Sequence, residues 1–367
     1  MTQSVKEIMT LPSPSQLVEE LDKYVIGQEQ AKRTLAIAVY NHYKKIICNV
    51  LTENKNVEFD KSNILILGAT GAGKTILVRT IAKMLDVPLY IKDITSCTSA
   101  GYVGEDVETC LTGLVSEAKH DIQKAELGIV VLDEFDKIAK KDAGMSITRD
   151  VSGESVQQSL LKLIEGDRVG IQMDQRRKHP EASMTYIDTK NILFIAIGAF
   201  SGIETIIKKR IGKGSIGFSS NNDERATISD DDLINYVTGE DIKKYGFIPE
   251  IVGRFPIISH VTKLKEEDLV KILTEPKNSI IRQYKELLKL DNTNLVITKD
   301  ALAEMAHIAF NLDTGARALR SVVELALEDV MFKSPENRFK KKPVKVVVDK
   351  KYVQKRTEII NKYLKVA

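Results

Sequence analysis

The octapeptide GATGAGKT, Gly68 to Thr75, has the spacing G-x-x-x-x-G-K-T. Glycines at Gly68, Gly71 and Gly73 let backbone N–H groups turn inward around an anion, with Ala69, Thr70 and Ala72 between them. Lys74 can neutralise charge on β and γ phosphates, and the Thr75 hydroxyl can ligate Mg²⁺. The pattern needs a strand before it and a helix after it, because the helix N-terminus adds a favourable dipole. Further on, IVVLDEFD (Ile129 to Asp136) ends an apolar run in two adjacent acids, Asp133 and Glu134. At the carboxyl end of a strand such acids face bound phosphates. Asp133 fits a metal site, and Glu134 fits a base that polarises an attacking water. These residues point to hydrolysis of a nucleotide, with ATP and Mg²⁺ as the expected ligands. A small-molecule kinase carries the same glycine loop and an acid, but needs no water-activating glutamate.

Such groups act together only if the chain brings strand ends to one place. ILIL, Ile64 to Leu67, is short, continuous and apolar, which predicts a buried parallel strand, and a helical pattern follows from Lys74. VPLYIKD (Val87 to Asp93), GIVVLDEFD (Gly128 to Asp136) and NILFIAIGAF (Asn191 to Phe200) read as further strands. Helical segments such as SVQQSLLKLIEG lie between them, and this alternation predicts a parallel sheet covered on both faces. An amphipathic helical pattern precedes it, from about Ser15 through YVIGQEQAKRTLAIAVYNHYKKI. After about Lys265 the texture changes to EEDLVKILTEPKNSIIRQYKELLKL, KDALAEMAHIAF and ARALRSVVELALEDVM, followed by one β-like run, PVKVVVD. The expected division is a large domain over 1–262 and a smaller, mostly helical domain over 263–367. Lys208 to Asp232, rich in Gly, Ser, Asn and Asp, is expected to be irregular, and MDQRRKHPEASM reads as a second loop.

Composition narrows the class. The chain has 367 residues, 43% hydrophobic and 29% charged, as in ordinary globular proteins of two or three domains. A net charge of +3 is too weak to argue for nucleic acid. No run of about 18 apolar residues predicts a membrane span, and MTQSVKEIMTLPSPSQ lacks an apolar signal core. Cys48, Cys97 and Cys110 are scattered, so neither a disulfide framework nor a four-cysteine zinc site is expected, and the cytoplasm is the natural compartment.

Some stretches are odd for their chemistry. SAGYVGEDVE sets Tyr102 and Val103 between glycines, a soft backbone that is a poor place to hide apolar groups. Read alone, the tyrosine folds back onto its own domain. GSIGFSS holds Ile216 and Phe218 in a segment too polar to form a core, as docking sites do. RRKHP clusters Arg176, Arg177, Lys178 and His179, which alone reads as a solvated face.

Taken in order, YVIGQEQAK, GATGAGKT, GYVGEDVE, DEFDKIA, TRDVSGESVQQSLLKLIEG, RRKHP, ILFIAIGAF, IGF, IPEIVGRFP and TGARALRS resemble the ClpX family of hexameric AAA+ unfoldases. The resemblance runs from about Leu11 to about Asp329. The related HslU family carries a long insertion domain for which the spacing leaves little room. The resemblance implies an AAA+ P-loop NTPase domain with a parallel five-stranded sheet, followed by a smaller, mostly α-helical domain. It implies a homo-hexamer that threads protein substrates with degradation tags through a central pore into a ClpP-type peptidase. Tyr102 and Val103 would then grip the polypeptide, with Arg149 and Val151 on a second pore loop. Arg177, Lys178 and His179 would lie at the pore entrance, where positive potential attracts acidic chain ends. Ile216, Gly217 and Phe218 would dock on the peptidase. Arg254 matches an arginine finger and Arg317 a sensor arginine. Val25 and Ile26 would border the adenine, and Ile76 would complete the nucleotide pocket. A protease-independent remodelling chaperone is the alternative, and the Ile216-Gly217-Phe218 tripeptide argues against it. The family usually opens with a zinc-binding domain built on four cysteines; this sequence opens almost directly at the ATPase module. Phe135 and Ile197 also depart from the pattern, the latter apolar where many AAA+ proteins place a polar sensor. KKYVQKRTEIINKYLKVA reads as helical.

Overall fold

The computed structural model describes residues 11–51, 59–97, 106–140, 153–172, 184–213 and 230–356. These form two compact units. The first holds the described residues of 1–18, 29–68 and 77–262; the second holds 19–28, 69–76 and those from 263 onward.

Two helices, α1 (Pro14–Asp22) and α2 (Glu29–Leu51), come first among the described residues, where one helical pattern was expected. The break falls at Gly27 and Gln28, both with φ near +63°, a conformation that ends a helix. Then follow β1 (Ile64–Gly68), α3 (Lys74–Met84), β2 (Leu89–Asp93), α4 (Thr109–Glu117), α5 (Ile122–Ala125) and β3 (Ile129–Asp133). A 3₁₀ turn at Phe135–Ile138 leads on to α6 (Gly153–Glu165), β4 (Arg168–Gln172), β5 (Met184–Asp188) and β6 (Leu193–Gly198). The first unit closes with α7 (Ile203–Lys213), α8 (Asp230–Leu233), α9 (Gly239–Tyr245), α10 (Pro249–Arg254) and β7 (Ile257–Val261).

Five strands make one parallel sheet in the order β2-β3-β6-β1-β7. Every residue of β1 and β6 is buried, as are the first four of β3. Strands covered on both faces have no solvent side, so their sequences run continuously apolar. Each large side chain so buried contributes about 1.5–3 kcal/mol. The register sets Leu67 beside Gly198, Gly68 beside Val261 and Asp93 beside Asp133. Gly68 and Asp133 therefore end their strands at the same carboxyl edge, with β6 between them. Gly68 is required there: a Cβ would stand 2.2 Å from the Val261 carbonyl oxygen.

Three features differ from the sequence expectation. β7 had no mark in the pattern because Ser259 and His260, both buried, interrupt its apolar run. β4 and β5 form an antiparallel hairpin, so Met184, expected in a loop, begins a strand. Within the segment 208–232, residues 208–213 finish α7 and α8 begins at Asp230; the rest lies outside the described residues.

The core of the first unit joins strand residues such as Leu65, Val130 and Phe194 to helix residues such as Leu111, Leu160 and Leu163. Phe135, with no exposed surface, stacks on Phe247 at 4.9 Å between ring centroids and meets Phe255 at 5.4 Å. The apolar phenylalanine that set DEFDKI apart thus fills a nest of rings under the carboxyl edge. A bidentate ion pair ties α7 to α9: Arg210 Nε and Nη2 each donate to the Asp241 carboxylate at 2.9 Å. Asp241 is fully buried and also accepts the Thr238 N–H at the start of α9. Burial pushes this carboxyl up, but the bonds from Arg210 and Thr238 outweigh that and hold it below the usual range.

The second unit contains α11 (Glu266–Thr274), α12 (Ile280–Leu290), β8 (Thr293–Ile297), α13 (Lys299–Asn311), α14 (Arg317–Lys333) and β9 (Val344–Val348). The long pattern after Lys265 is two helices, because Pro276 lacks a donor and cannot sit in a helix interior. β8 pairs in parallel with β9, which accounts for the run PVKVVVD. Leu269, Leu288, Met305, Leu319, Val323 and Val348 centre its own core. Residues 350–356 are helical, and Val353 and Arg356 are buried. Among the described residues, no helix is long and apolar enough to cross a membrane.

Two stability outcomes follow. Phe135→Ala should lower unfolding free energy by about 3–5 kcal/mol in urea titrations, and Phe135→Leu by much less, because alanine leaves a cavity. Arg210→Met should cost about 3–5 kcal/mol at neutral pH by leaving the Asp241 charge buried and unpaired. A carboxyl with a depressed folded pKa contributes stability above its unfolded value, and loses it as pH falls through the folded one. In Arg210→Met burial instead raises the Asp241 carboxyl, so the deficit should shrink as pH falls through the acidic range and the orphaned carboxyl takes a proton.

Candidate nucleotide site

In the first unit the carboxyl edge carries both acids. Half-buried Asp133 closes β3, and its Oδ1 accepts the Glu134 N–H at 2.8 Å. Glu134 is exposed and takes the left-handed conformation, φ 56° and ψ 33°. A side chain there costs about 1–3 kcal/mol and persists only where its surroundings enforce it. The Asp133 bond, the Lys137 N–H to Glu134 carbonyl bond at 2.9 Å and buried Phe135 enforce it here. The third acid, Asp136, is buried, and its Oδ1 accepts the Ala199 N–H at 3.0 Å just beyond β6. In the sequence the only signal of Asp136 is a third acid two residues beyond the Asp133–Glu134 pair. Ile197 is fully buried within β6 and brings no polar group to this edge.

Arg254 sits at the other edge of the same sheet. It ends α10 just before β7, and its carbonyl accepts the Asn63 side-chain N–H at 2.9 Å, just before β1. Its guanidinium donates to Glu165 at 2.7 Å and is half exposed. A five-residue strand spans about 16 Å, so Arg254 and the acids are separated by the sheet's full depth. The sheet does not bring these predicted residues together. Arg254 lines a cavity of about 920 Å³ with Lys61 and Lys190. There burial brings the Lys61 amine down to about 7.

The glycine loop groups with the second unit. Gly71 and Gly73 have φ of 76° and 100°, which only glycine adopts freely. Lys74 Nζ donates to the Ala69 carbonyl at 2.9 Å, and the Ala72 N–H donates to the same carbonyl at 3.3 Å. Thr75 is half-buried at the start of α3, and Ile76 is exposed. Buried Val25 lies beside the loop, its Cγ1 3.7 Å from where a Gly73 Cβ would stand, and Ile26 is half-buried next to it in the chain. Gln28 Nε2 donates to the Ala72 carbonyl at 3.5 Å, a contact signalled only by the Gly-Gln pair that breaks the first helical pattern. The TGAR turn presses on the same loop. The Ala316 N–H donates to the Gly71 carbonyl at 3.2 Å, and a Cβ on Gly71 would stand 2.4 Å from the Thr314 carbonyl oxygen. Exposed Arg317 begins α14 there.

The Thr75 hydroxyl and the Asp133 carboxylate are hard oxygen donors of the kind Mg²⁺ takes together with phosphate oxygens and water. Among the described residues, no group of three or more His, Cys, Asp or Glu is arranged to hold a metal, and a phosphate-bound Mg²⁺ needs none. Tyr102, Val103, Arg149, Val151, Arg177, Lys178, His179, Ile216, Gly217 and Phe218 lie outside the described residues.

Residues 60–258 match the family described as AAA domain (Cdc48 subfamily), and residues 264–348 the family described as the C-terminal, D2-small domain of ClpB protein. The chain is 51% identical over 334 residues to the ATP-dependent Clp protease ATP-binding subunit ClpX of Borrelia duttonii, spanning 91% of this chain and 77% of that one. It is 48% identical over 343 residues to the protein of the same description from Treponema denticola, spanning 94% and 81%. For that of Porphyromonas gingivalis the figures are 47% over 344 residues, 94% and 82%. A parallel sheet with a glycine loop after β1 and paired acids after β3, in a chain this similar to those subunits, belongs to the ClpX family of AAA+ ATPases.

Proposed function

We propose that the chain works as a hexameric ring that uses ATP to unfold tagged proteins and thread them into a ClpP-type peptidase. The observation that carries this reading is the placement of Arg254 at the edge of the sheet opposite Asp133 and Glu134. An arginine so placed has no route to its own subunit's phosphates. In a closed ring it meets the nucleotide of the next subunit, where such fingers contribute roughly 10³–10⁵ in rate.

Within one subunit, residues 68–76 hold the phosphates, Lys74 meets the β and γ oxygens, and Val25 and Ile26 border the base. Mg²⁺ held by Thr75 and Asp133 would neutralise phosphate charge. Glu134 accepts a proton from the attacking water, which its exposed position at the strand end allows. Arg317 reads the nucleotide beside the glycine loop and passes its state to the helical unit. We take 1–262 as the large domain and 263–367 as the small one.

Domains resist unfolding by about 5–15 kcal/mol, so pulling must be coupled to hydrolysis. Tyr102 and Val103 grip the chain by sequence-tolerant apolar contact, Arg149 and Val151 support it, and Arg177, Lys178 and His179 draw in acidic chain ends. Ile216, Gly217 and Phe218 dock on the peptidase through repeated weak contacts that combine by effective concentration. The Arg210–Asp241 pair fastens the helices on either side of that docking segment. Cys48, Cys97 and Cys110 are free thiols, which suits the cytoplasm.

Glu134→Gln should bind ATP normally and turn it over roughly 10²–10⁴-fold more slowly. Arg254→Ala alone should be about 10³-fold slow. Mixing the two slow variants should restore turnover, because some interfaces then pair an intact Glu134 with a neighbour's intact Arg254. Mixtures no faster than either variant would refute a shared site.

A further inference from the structure

We propose that Asp136 is a positioning residue for hydrolysis: its buried carboxylate locks the turn carrying Glu134 to the end of β6. This rests on the reading of Glu134 as the base. β3 and β6 are neighbours, and each leaves the sheet through a non-glycine residue in the left-handed conformation, Glu134 at φ 56° and Phe200 at φ 53°. Such residues are rare, and they persist where the surroundings leave no alternative. The Asp136 Oδ1 to Ala199 N–H bond, 3.0 Å, lies between the two and joins one turn to the other.

The two chains meet there too closely for a side chain. A Cβ on Gly198 would stand 2.6 Å from Asp136 Oδ1, 2.8 Å from a Phe200 ring carbon and 3.0 Å from the Asp136 nitrogen. Gly198 is not among the glycines with positive φ, so space rather than backbone freedom demands glycine there. A carboxylate on a single methylene fixes the separation of the turns tightly. Lys137 Nζ, 3.4 Å from Oδ2, balances its charge at the surface side. Burial first, and then the nearby carboxyls of Asp136 and Glu204, push the phenol of Tyr245 up to about 12. The β3–β6 backbone pairing runs as far as Leu132 and Ala196, and beyond it the Asp136 bond ties the β6 end to the turn carrying the base. Displacing a catalytic group by about 1 Å can cost 10²-fold in rate.

The test measures ATP turnover and fluorescent-nucleotide affinity for full-length Asp136→Ala, Asp136→Asn and Asp136→Glu, each also combined with Glu134→Gln. Asp136→Ala should lower kcat by about 10²-fold with nucleotide affinity unchanged. Asp136→Asn, which keeps the acceptor, should recover most of that loss. Asp136→Glu keeps charge and acceptor but is one methylene too long, so it should also be slow; it serves where the alanine variant does not assemble. In Glu134→Gln protein, which no longer has a base to position, Asp136→Ala should cause no further loss. Wild-type kcat in folded Asp136→Ala or Asp136→Glu would overturn the inference. So would a loss of the same size in the Glu134→Gln background, or a loss of affinity matching the loss of kcat. Normal turnover by Glu134→Gln alone would instead overturn the reading of the base.

Discussion

Parallel pairing is the constraint on which the rest depends. All five strands run the same way, so each begins at one edge of the sheet and ends at the other. Burial of β1, β3 and β6 on both faces stabilises that arrangement, and the parallel backbone pairing sets its direction. The carboxyl edge receives Gly68, Asp133 and Glu134, and the amino edge receives Asn63 and Arg254. The sheet thus keeps the acids Asp133 and Glu134 and the arginine Arg254 apart by its own depth, as the proposed shared site requires.

The carboxyl edge is where the fold departs from easy backbone geometry. Glu134 and Phe200 sit in left-handed conformations that ordinary strand ends avoid. The rings beneath them, Phe135 on Phe247 and Phe200 against Tyr245 and Phe247, bury apolar surface that offsets the strain. Core packing and site geometry are here one arrangement. In the second unit the glycine loop relies on similar closeness, since Gly71 and Gly315 each lie where a Cβ would strike a facing carbonyl.

Much of this was legible in the residues. β1, β3 and β6 announce themselves because strands buried on both faces have no polar positions, and the glycine loop and the acid pair follow β1 and β3 directly. β7 was hidden because Ser259 and His260 are buried in it, and a buried polar residue breaks an apolar run without breaking a strand. The helix break at Gly27–Gln28 and the Asp136 bond depend on tertiary neighbours, which periodicity does not report. Arg254 was legible as a residue but not as a location: only the strand order assigns it to the amino edge. The pore reading of Tyr102 and Val103 came from family resemblance, not from local pattern; the pattern around Ile216 and Phe218 suggested docking, and only the resemblance named a peptidase, while all these residues lie outside the described ones.

The most direct measurement of the central claim is the fluorescence of a folded, tagged fluorescent protein incubated with this chain, ATP and a ClpP-type peptidase. The account predicts a loss of fluorescence with release of small peptides, and with the Ile216–Phe218 segment deleted, no peptides at all while ATP turnover continues. Steady ATP turnover beside undiminished fluorescence, or peptide release indifferent to that deletion, would contradict it.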